Sequence, residues 1–233
     1  MQFLVGLLMT KIITMTLYRR PQYTKEVLDA LAKCDGIEDY LLMISVDGKK
    51  KNPEILALVN DFDACAKQVL TPEHLGCGPN TYYVLSHGFL KTDYVIHLED
   101  DTVPAFDTLR YFEWARQFET DDNMFSVTAY SRYGMGKYTH VGIQPSFCPW
   151  GWATWASRWL TMRNKWRLSW DTYLNEVVRG DKMGLFPIVS RIQNIGAIDG
   201  EHVGSVHFHQ TYHHTPYWIG DDEVQYNKGY TLV

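Results

Sequence analysis

The first half of the chain alternates between two hydrophobic patterns, and this alternation restricts its fold more than any other feature. Three short runs are apolar and rich in β-branched residues, as buried parallel strands are, and they span residues 11–17, 40–46 and 93–98. Helical patterns begin at Pro21, span 53–65 and 80–90, and begin again at Pro104. The alternation predicts an α/β, Rossmann-like fold with a mostly parallel central sheet and helices on both faces.

The second half of the chain has a different character. From Ser126 onward it is rich in Gly, aromatic residues and His, with helical patterns only at 154–162 and 171–178. No repeat, low-complexity tract or linker divides the chain, so we expect one domain over residues 1–233 with a soft internal boundary near residue 125.

Composition excludes several classes of protein. The net charge of −5 disfavours a nucleic-acid binder, which needs a surplus of Lys and Arg. The four cysteines have no CxxC spacing, so they do not predict a zinc site. The apolar N-terminus is interrupted by Lys11 and lacks the basic start of a secretory signal, so the sequence predicts no membrane anchor.

Three consecutive carboxylates, Glu99, Asp100 and Asp101, follow the predicted strand at 93–98. Ligands of open α/β sheets bind at the carboxyl ends of the strands, so these residues are placed at a ligand site. Side by side they repel one another, and a hard divalent cation such as Mn²⁺ or Mg²⁺ would neutralise them. The alternative is that they favour the N-terminus of the helix predicted from Pro104, but one carboxylate would suffice for that.

The tetrapeptide LEDD followed by TVPAFDTLRYF resembles the metal motif of glycosyltransferases with the A-type fold. The similarity is greatest to the branch that contains N-acetylglucosaminyltransferase I and related bacterial and viral sugar transferases. The resemblance implies that Asp101 binds the metal directly. It also implies that Glu99 and Asp100 reach the ribose and the sugar of the donor.

Two further segments resemble the nucleotide site of that family. TLYRRPQYTKEVLDAL is similar to its first loop and helix, which implies that Thr16 and Arg20 contact the nucleotide, with Arg19 as the alternative to Arg20. MISVDG is similar to the strand whose terminal Asp accepts a hydrogen bond from uracil, which implies this role for Asp47. Asp47 and Gly48 can equally form an ordinary turn.

The segment CPWGWATW resembles the Gly-Trp loop that lines the donor sugar in this family. Gly151 would allow close approach of the backbone to the sugar, and Trp150 and Trp152 would offer stacking surfaces. The alternative interpretation is a hydrophobic cluster at the start of a helix.

An inverting transfer needs a carboxylate that takes the proton from the acceptor hydroxyl. Trp170-Asp171 resembles the family's Trp-Asp-Asp site, which implies Asp171 as the base. This chain departs from the pattern with Thr172 in place of the second acid, and if the base belongs to that second position, Asp171 would have to turn into its place. A helix N-cap is the alternative role for Asp171. FPIVSRIQNIGAIDGEHVGS resembles the closing segment, which implies His202 as a ligand of the diphosphate or the metal. Four more histidines follow and are equally compatible with surface positions: His207, His209, His213 and His214.

Together the resemblance implies a metal-dependent transferase that moves a hexose or N-acetylhexosamine from a UDP-sugar to a carbohydrate or other hydroxyl acceptor. Residues 1–125 would bind the nucleotide, and residues 126–233 would bind the acceptor and carry catalysis. A cytoplasmic location in a bacterium or a virus-infected cell is expected. The alternatives are a metal-dependent hydrolase or nucleotidyltransferase, and a non-catalytic sugar-binding module on the same fold.

Overall fold

The computed structural model describes residues 10–48, 50, 52–132, 136–198, 206–207, 211 and 229–233. The strands are β1 Lys11–Leu17, β2 Tyr40–Val46, β3 Ala66–Leu70, β4 Tyr94–Glu99, β5 Thr102–Pro104, β6 Met124–Thr128, β7 His140–Gln144, β8 Trp152–Trp155, β9 Met183–Pro187, β10 Ile192–Asn194 and β11 Thr231–Leu232. The α-helices are α1 Pro21–Leu31, α2 Pro53–Asp61, α3 Cys77–Gly88, α4 Thr108–Ala115, α5 Ala156–Asn164 and α6 Trp170–Tyr173. A π-helical turn, Leu174–Val178, continues α6, and two short 3₁₀ segments are Ile37–Asp39 and Arg116–Thr120.

Nine strands form one sheet in the order β11-β7-β9-β6-β8-β4-β1-β2-β3. Most neighbouring strands are parallel; the exceptions are β8, which is antiparallel to both β4 and β6, and the pair β7–β9. β5 and β10 form a separate antiparallel pair. The predicted α/β fold with a mostly parallel central sheet is therefore confirmed.

Helices cover both faces of the sheet, as the alternating pattern predicts. The apolar residues of α1, α2 and α4 pack in one core with Ile13, Met15 and Leu17 of β1. Those of α3 and α5 pack in a second core with Ile12 and Val95, which point to the opposite face. Because β1 and β4 contribute to both cores, the ends of these two strands are held firmly at the edge of the sheet.

Several element boundaries differ from the predictions. The predicted helix over 53–65 ends at Asp61, because Phe62 is extended, and Ala66–Leu70 forms the edge strand β3. Pro104 does not open a helix: it ends β5, and α4 begins at Thr108. Residues 152–155 belong to β8, so the helix predicted from residue 154 starts at Ala156. Strands β6, β7 and β9 in the second half were not predicted.

A buried ion pair fixes the β5–β10 pair beneath the carboxyl edge of the sheet. Arg191 and Asp107 are both fully buried, and Arg191 Nε lies 3.2 and 3.3 Å from the two carboxylate oxygens. Arg191 Nη1 donates to the Val189 carbonyl at 2.6 Å, and Tyr230 Oη donates to Asp107 Oδ2 at 2.7 Å. The Arg191 carbonyl accepts from Ala105 N, so the ion pair is tied directly to the end of β5.

His97 in β4 is a fully buried imidazole in the middle of the sheet. The Thr14 hydroxyl lies 3.1 Å from the Ile96 carbonyl and shares a hydrogen bond with His97 Nδ1 at 3.0 Å. Burial lowers the pKa of His97 to about 3. The ring is therefore neutral at ordinary pH.

We expect His97 to make the protein less stable as the pH falls. The unfolded histidine takes up a proton near pH 6.5, and the folded one does so only near pH 3, so stability is lost across this window. Between pH 7 and 4.5 the loss due to His97 is about 2–3 kcal/mol. Urea unfolding at both pH values measures it, and His97→Gln should remove it. His140 is not fully buried, so His140→Gln should leave the loss of stability between the two pH values unchanged. If His140→Gln removes as much of this loss as His97→Gln does, the assignment to His97 is wrong.

Candidate functional site

The carboxyl ends of the parallel strands β1, β2 and β4 meet at one edge of the sheet. Thr16 of β1 pairs with Glu99 of β4 on one side and with Ser45 of β2 on the other. The residues that follow these strands, including Arg20, Asp47 and the three carboxylates, are therefore brought to the same edge. The structure groups these residues as the strand pattern indicates.

The three carboxylates Glu99, Asp100 and Asp101 form the acidic cluster, and one guanidinium crosses it. Arg20 binds Asp100 through both carboxylate oxygens, with Nε to Oδ2 at 3.3 Å and Nη2 to Oδ1. Arg20 Nη1 also lies 2.9 Å from Asp101 Oδ2. Tyr18 N donates to Asp100 Oδ2 at 3.3 Å. Asp100 and Asp101 are only 4% and 8% exposed, so their remaining interactions are with the protein or with a bound ligand.

Burial and mutual repulsion shape the electrostatics of the cluster. Burial raises the pKa of Asp100 to about 6, although Arg20 acts to lower it. Burial also raises the pKa of Glu99 well above its ordinary value, and Asp101, Asp100 and Asp171 add to the increase. Asp171, which belongs to another element, is the smallest of these contributions. Burial acts to lower the pKa of Arg20, yet Asp101 and Asp100 raise it overall.

The cluster has the donor chemistry of a hard-cation site. Three carboxylates face one guanidinium, which leaves negative charge uncompensated, and Asp101 Oδ1 is buried with no hydrogen-bond partner among the described residues. A buried carboxylate oxygen without a partner is costly unless a cation binds it. In the part of the chain that the structure describes, no three His, Cys, Asp or Glu side chains converge on one point. The residues present therefore fit a metal that takes only part of its ligands from the protein.

The backbone at Gly196 closes one side of Asp101. Ile195 N donates to the Asp101 carbonyl at 2.9 Å, and Gly196 N is fixed by Asn194 Oδ1 at 3.0 Å. A Cβ at position 196 would overlap Asp101 Oδ2 and lie 2.9 Å from its Cγ and 3.2 Å from Arg20 Nη1. Only glycine allows this close approach.

Gly196→Ala should therefore move the Asp101 carboxylate without unfolding the protein. We expect Mn²⁺ affinity to fall by about tenfold or more, because small displacements of a ligand group are costly. Titration with Mn²⁺ measures the affinity, and thermal unfolding checks the fold. Gly180→Ala is the control, since Gly180 has a positive φ but nothing within 4 Å of the added methyl group. If both variants bind Mn²⁺ like the wild type, Gly196 does not position Asp101.

Asp47 lies at the edge but faces a loop. It is 2% exposed, and its carboxylate accepts from Leu75 N at 2.7 Å and Gly76 N at 2.9 Å. His74 Nδ1 lies 2.9 Å from Asp47 Oδ2. In this arrangement both carboxylate oxygens of Asp47 bind the loop before α3, so neither is free to accept a hydrogen bond from uracil.

His74 of this loop is stacked on Tyr18, the residue that follows β1. The Tyr18 and His74 rings have centroids 4.9 Å apart and an interplanar angle of 21°.

Arg19 has an unusual backbone conformation. With φ of 61°, it is the only non-glycine residue with positive φ in the described ranges, and its N–H donates to Asn52 Oδ1 at 2.9 Å. This conformation is uncommon for non-glycine residues, and strained backbone of this kind clusters at functional sites. Arg20 is held by the acidic cluster, so Arg19 is the more exposed of the two arginines. Tyr18 and Gly196 lie within segments that resemble family motifs, but the resemblance assigns them no role, and Asn52 lies outside every such segment.

The Gly-Trp loop contributes one accessible ring. Trp150 is half-buried, and its ring meets that of Tyr130 edge-to-face with centroids 4.7 Å apart. Trp152 is fully buried in β8, so the expectation that it stacks on a sugar is wrong for this arrangement: its indole packs in the core. Gly151 has φ of 58°, and a Cβ there would lie 2.5 Å from Ile192 Cγ1. Glycine is therefore required at 151 for backbone conformation and packing.

Asp171 lies at the second position of α6, next to an aromatic anchor. Ser169 occupies the N-cap, so Asp171 does not. The preceding Trp170 is buried and stacks on Trp166 with centroids 5.0 Å apart and on Trp152 at 6.0 Å. This anchor fixes the backbone of the half-buried Asp171, whose charge acts to raise the pKa of Glu99. Of the C-terminal histidines, His202, His209, His213 and His214 lie outside the described residues, and His207 is exposed.

Comparison with solved structures relates the fold to glycosyltransferases. No protein-family model matches the sequence, and a search of curated proteins finds no similar sequence. S. aureus TarS is 13% identical with a TM-score of 0.51 over 78% of this chain and 37% of its own. TarS 1–349 in complex with UDP is 13% identical with a TM-score of 0.50 over 76% of this chain and 60% of its own. The mannosyltransferase PcManGT from Pyrobaculum calidifontis, in complex with GDP-Man and Mn²⁺, is 14% identical with a TM-score of 0.44 over 61% and 43%.

The chain spans less than two thirds of the length of each of these proteins. What TarS shares with it is the fold: a large, mostly parallel sheet flanked by helices, as in glycosyltransferases. None of the helices that the structure describes has the length and apolar composition needed to cross a bilayer.

Proposed function

We propose that this chain is a metal-dependent glycosyltransferase that moves a hexose or N-acetylhexosamine from a UDP-sugar to the hydroxyl of a carbohydrate or other acceptor. The observation that carries this proposal is the acidic cluster with its unpartnered Asp101 oxygen, at the carboxyl edge of a glycosyltransferase-like sheet. TarS, which shares the fold, has been crystallised with UDP. The motif resemblance to the N-acetylglucosaminyltransferase I branch supports the same activity.

Asp101 would hold Mn²⁺ or Mg²⁺ through Oδ1, and Arg20 would keep the Asp100 and Asp101 carboxylates in place. When bound, the metal would stabilise the negative charge of the departing diphosphate. Glu99 and Asp100 would face the ribose and the sugar, with Thr16 at the adjoining strand end. Asp47 would contribute to uracil binding indirectly, by holding the loop before α3 in place.

The strand order would separate the donor from the acceptor along the carboxyl edge of the sheet. The ends of β2 and β1 lie on one side of β4, and the start of β8 and the end of β6 lie on the other. The nucleotide would occupy the β1–β2 side, and the acceptor the side of Trp150 and Asp171. The acceptor oxygen would attack the anomeric carbon as the bond to the diphosphate breaks, with inversion. Its proton would pass to the Asp171 carboxylate.

The test is UDP release from a panel of UDP-sugars with Mn²⁺ and after its removal by a chelator. We expect one sugar to be turned over only with the metal. Asp171→Asn should lower kcat by about 10²–10⁴-fold with UDP affinity unchanged, because a base acts in the transition state. Asp181→Asn, an exposed carboxylate nearby in the chain, is the matched control.

Two outcomes would contradict the proposal. Wild-type protein that neither binds UDP nor releases it from any sugar has only the fold of a transferase. If turnover occurs but Asp171→Asn matches Asp181→Asn, the transferase assignment stands and Asp171 is not the base.

A further inference from the structure

One region of the chain has no acidic residues. Residues 123–170 contain no Asp or Glu, although the whole chain has 27 of them, and they contain six Lys and Arg. Helix α3 also lacks acidic residues. In a protein with a net charge of −5, this separation of charge concentrates positive potential on the elements that these residues build.

Helices α3 and α5 and the turn after α5 lie on the same face of the sheet and carry exposed leucines among these cations. We define the basic apolar patch as six residues: Leu90, Leu160, Arg163, Lys165, Arg167 and Leu168. Leu90 and Leu168 are each 83% exposed, and Leu160 is 55% exposed. The two leucines at 83% are the most exposed large hydrophobic residues in the described part of the chain.

A row of aromatic rings connects the elements that carry the patch. Phe89 stacks on Trp159 with centroids 5.2 Å apart, and Tyr82 lies 5.6 Å from Trp159 and 5.7 Å from Trp166. Leu90 follows Phe89 and Leu160 follows Trp159 in the chain. Trp166 is tied to α3 by its indole N–H, which donates to the Gly78 carbonyl at 3.1 Å. Leu90 and Leu160 therefore each adjoin, in the chain, a residue of this aromatic row.

The cations of the patch are free to face an external anion. Arg163 and Lys165 are exposed and form no ion pair with any carboxylate in the described ranges, and Arg167 contacts only the Trp166 carbonyl and the Tyr173 ring there. Arg158, one turn earlier, differs: it is tied to Asp122 and to backbone carbonyls.

We propose that the basic apolar patch docks on an anionic lipid surface. Leucines with a Lys/Arg border and amphipathic rings are the composition of interfacial membrane sites: the apolar side chains enter the headgroup boundary and the cations bind anionic lipids. A nucleic acid would be attracted by the same cations but would not require the exposed leucines.

The patch leads directly into the candidate base. Leu168 lies three residues before Asp171, and the buried Trp170 fixes the chain between them. A membrane under the patch would bring an acceptor carried on a lipid close to Asp171. This assignment of the acceptor rests on the proposed function, whereas docking on the lipid surface does not.

The experiment is co-sedimentation of the full chain with vesicles of phosphatidylcholine, alone or with about 30% phosphatidylglycerol. We expect binding only to the anionic vesicles. The double variant Arg163→Glu with Lys165→Glu should weaken it by on the order of 30-fold. Lys25→Glu with Lys33→Glu, on and next to α1 on the opposite face, changes the net charge equally and should weaken it less than about threefold. Leu168→Ser should weaken it by about fivefold or more, because an inserted side chain is lost.

UDP affinity, measured in parallel, should be unchanged in all these variants, which separates this proposal from the proposed function. Absence of binding to anionic vesicles would overturn the proposal, as would equal losses in the two double variants. It would also be overturned if Leu168→Ser binds like the wild type, or if a single-stranded DNA oligonucleotide binds while the vesicles do not. UDP binding without vesicle binding would leave the transferase assignment in place.

Discussion

Asp101→Asn is expected to abolish metal-dependent UDP release, with a loss of at least about 10³-fold. The substitution keeps the shape of the side chain but removes the charge from the buried oxygen that has no partner. The amide would also leave Arg20 Nη1 facing a neutral group where it now faces an anion at 2.9 Å. Mn²⁺ binding should be lost together with turnover, and both are measured on the same protein, by calorimetric titration and by UDP release.

A carboxylate at the opposite end of the same strand gives the matched control. Asp93 precedes β4 and pairs with Arg116, and its side chain is 37% exposed. Asp93→Asn should change neither Mn²⁺ affinity nor turnover. If Asp101→Asn binds Mn²⁺ as the wild type does, the metal is bound elsewhere. The negative charge of the acidic cluster is then neutralised by groups other than the metal.

Arg191→Met should reduce the free energy of unfolding by about 3–5 kcal/mol. Arg191 and Asp107 are both fully buried, and removal of the guanidinium leaves a buried carboxylate that retains only the Tyr230 hydroxyl as a side-chain donor in the described part of the chain. The unpaired charge costs far more than a lost surface contact. Urea unfolding at neutral pH measures the loss, and Arg191→Met combined with Asp107→Leu should recover part of it.

Arg110→Met is the control for this effect. Arg110 pairs with Asp35 at 2.8 Å, but the two side chains are 41% and 28% exposed, so we expect a loss below about 1 kcal/mol. Similar losses for Arg110→Met and Arg191→Met would show that burial of the Arg191–Asp107 pair has no special cost.

The sequence predicts the first half of the fold and the acidic cluster because both depend on local patterns. A buried strand such as β4 is an apolar run, and its end is visible where charged residues begin. β3 is a half-buried edge strand with two polar residues in five, so it carries no such signal. The short strands β6, β7 and β9 of the second half are defined by their pairing partners. The helical pattern around Trp159 extends back to residue 154, so the sequence predicts a helix where β8 ends.

Contacts between distant segments were not predictable in the same way. Gly196 lies against Asp101 because β10 pairs with β5, and no local sequence pattern predicts that pairing. Trp152 has the composition of a sugar-stacking residue, but its position within β8 turns it into the core. Asp47 was placed correctly at the end of β2, whereas the loop that surrounds its carboxylate comes from residues 74–76. Motifs predict which segments form the candidate site, and tertiary pairing determines which of their atoms face it.

The position of β8 between β4 and β6 has a consequence for synthesis on the ribosome. Strands β1 to β4 can pair as soon as they emerge, but the outer edge of β4 receives its partner only when β8 follows much later in the chain. Until then the nascent chain exposes a flat, apolar strand edge, Tyr94–Glu99, to other chains. Translation that stalls before Trp152 is therefore expected to release an aggregation-prone fragment that depends on chaperones.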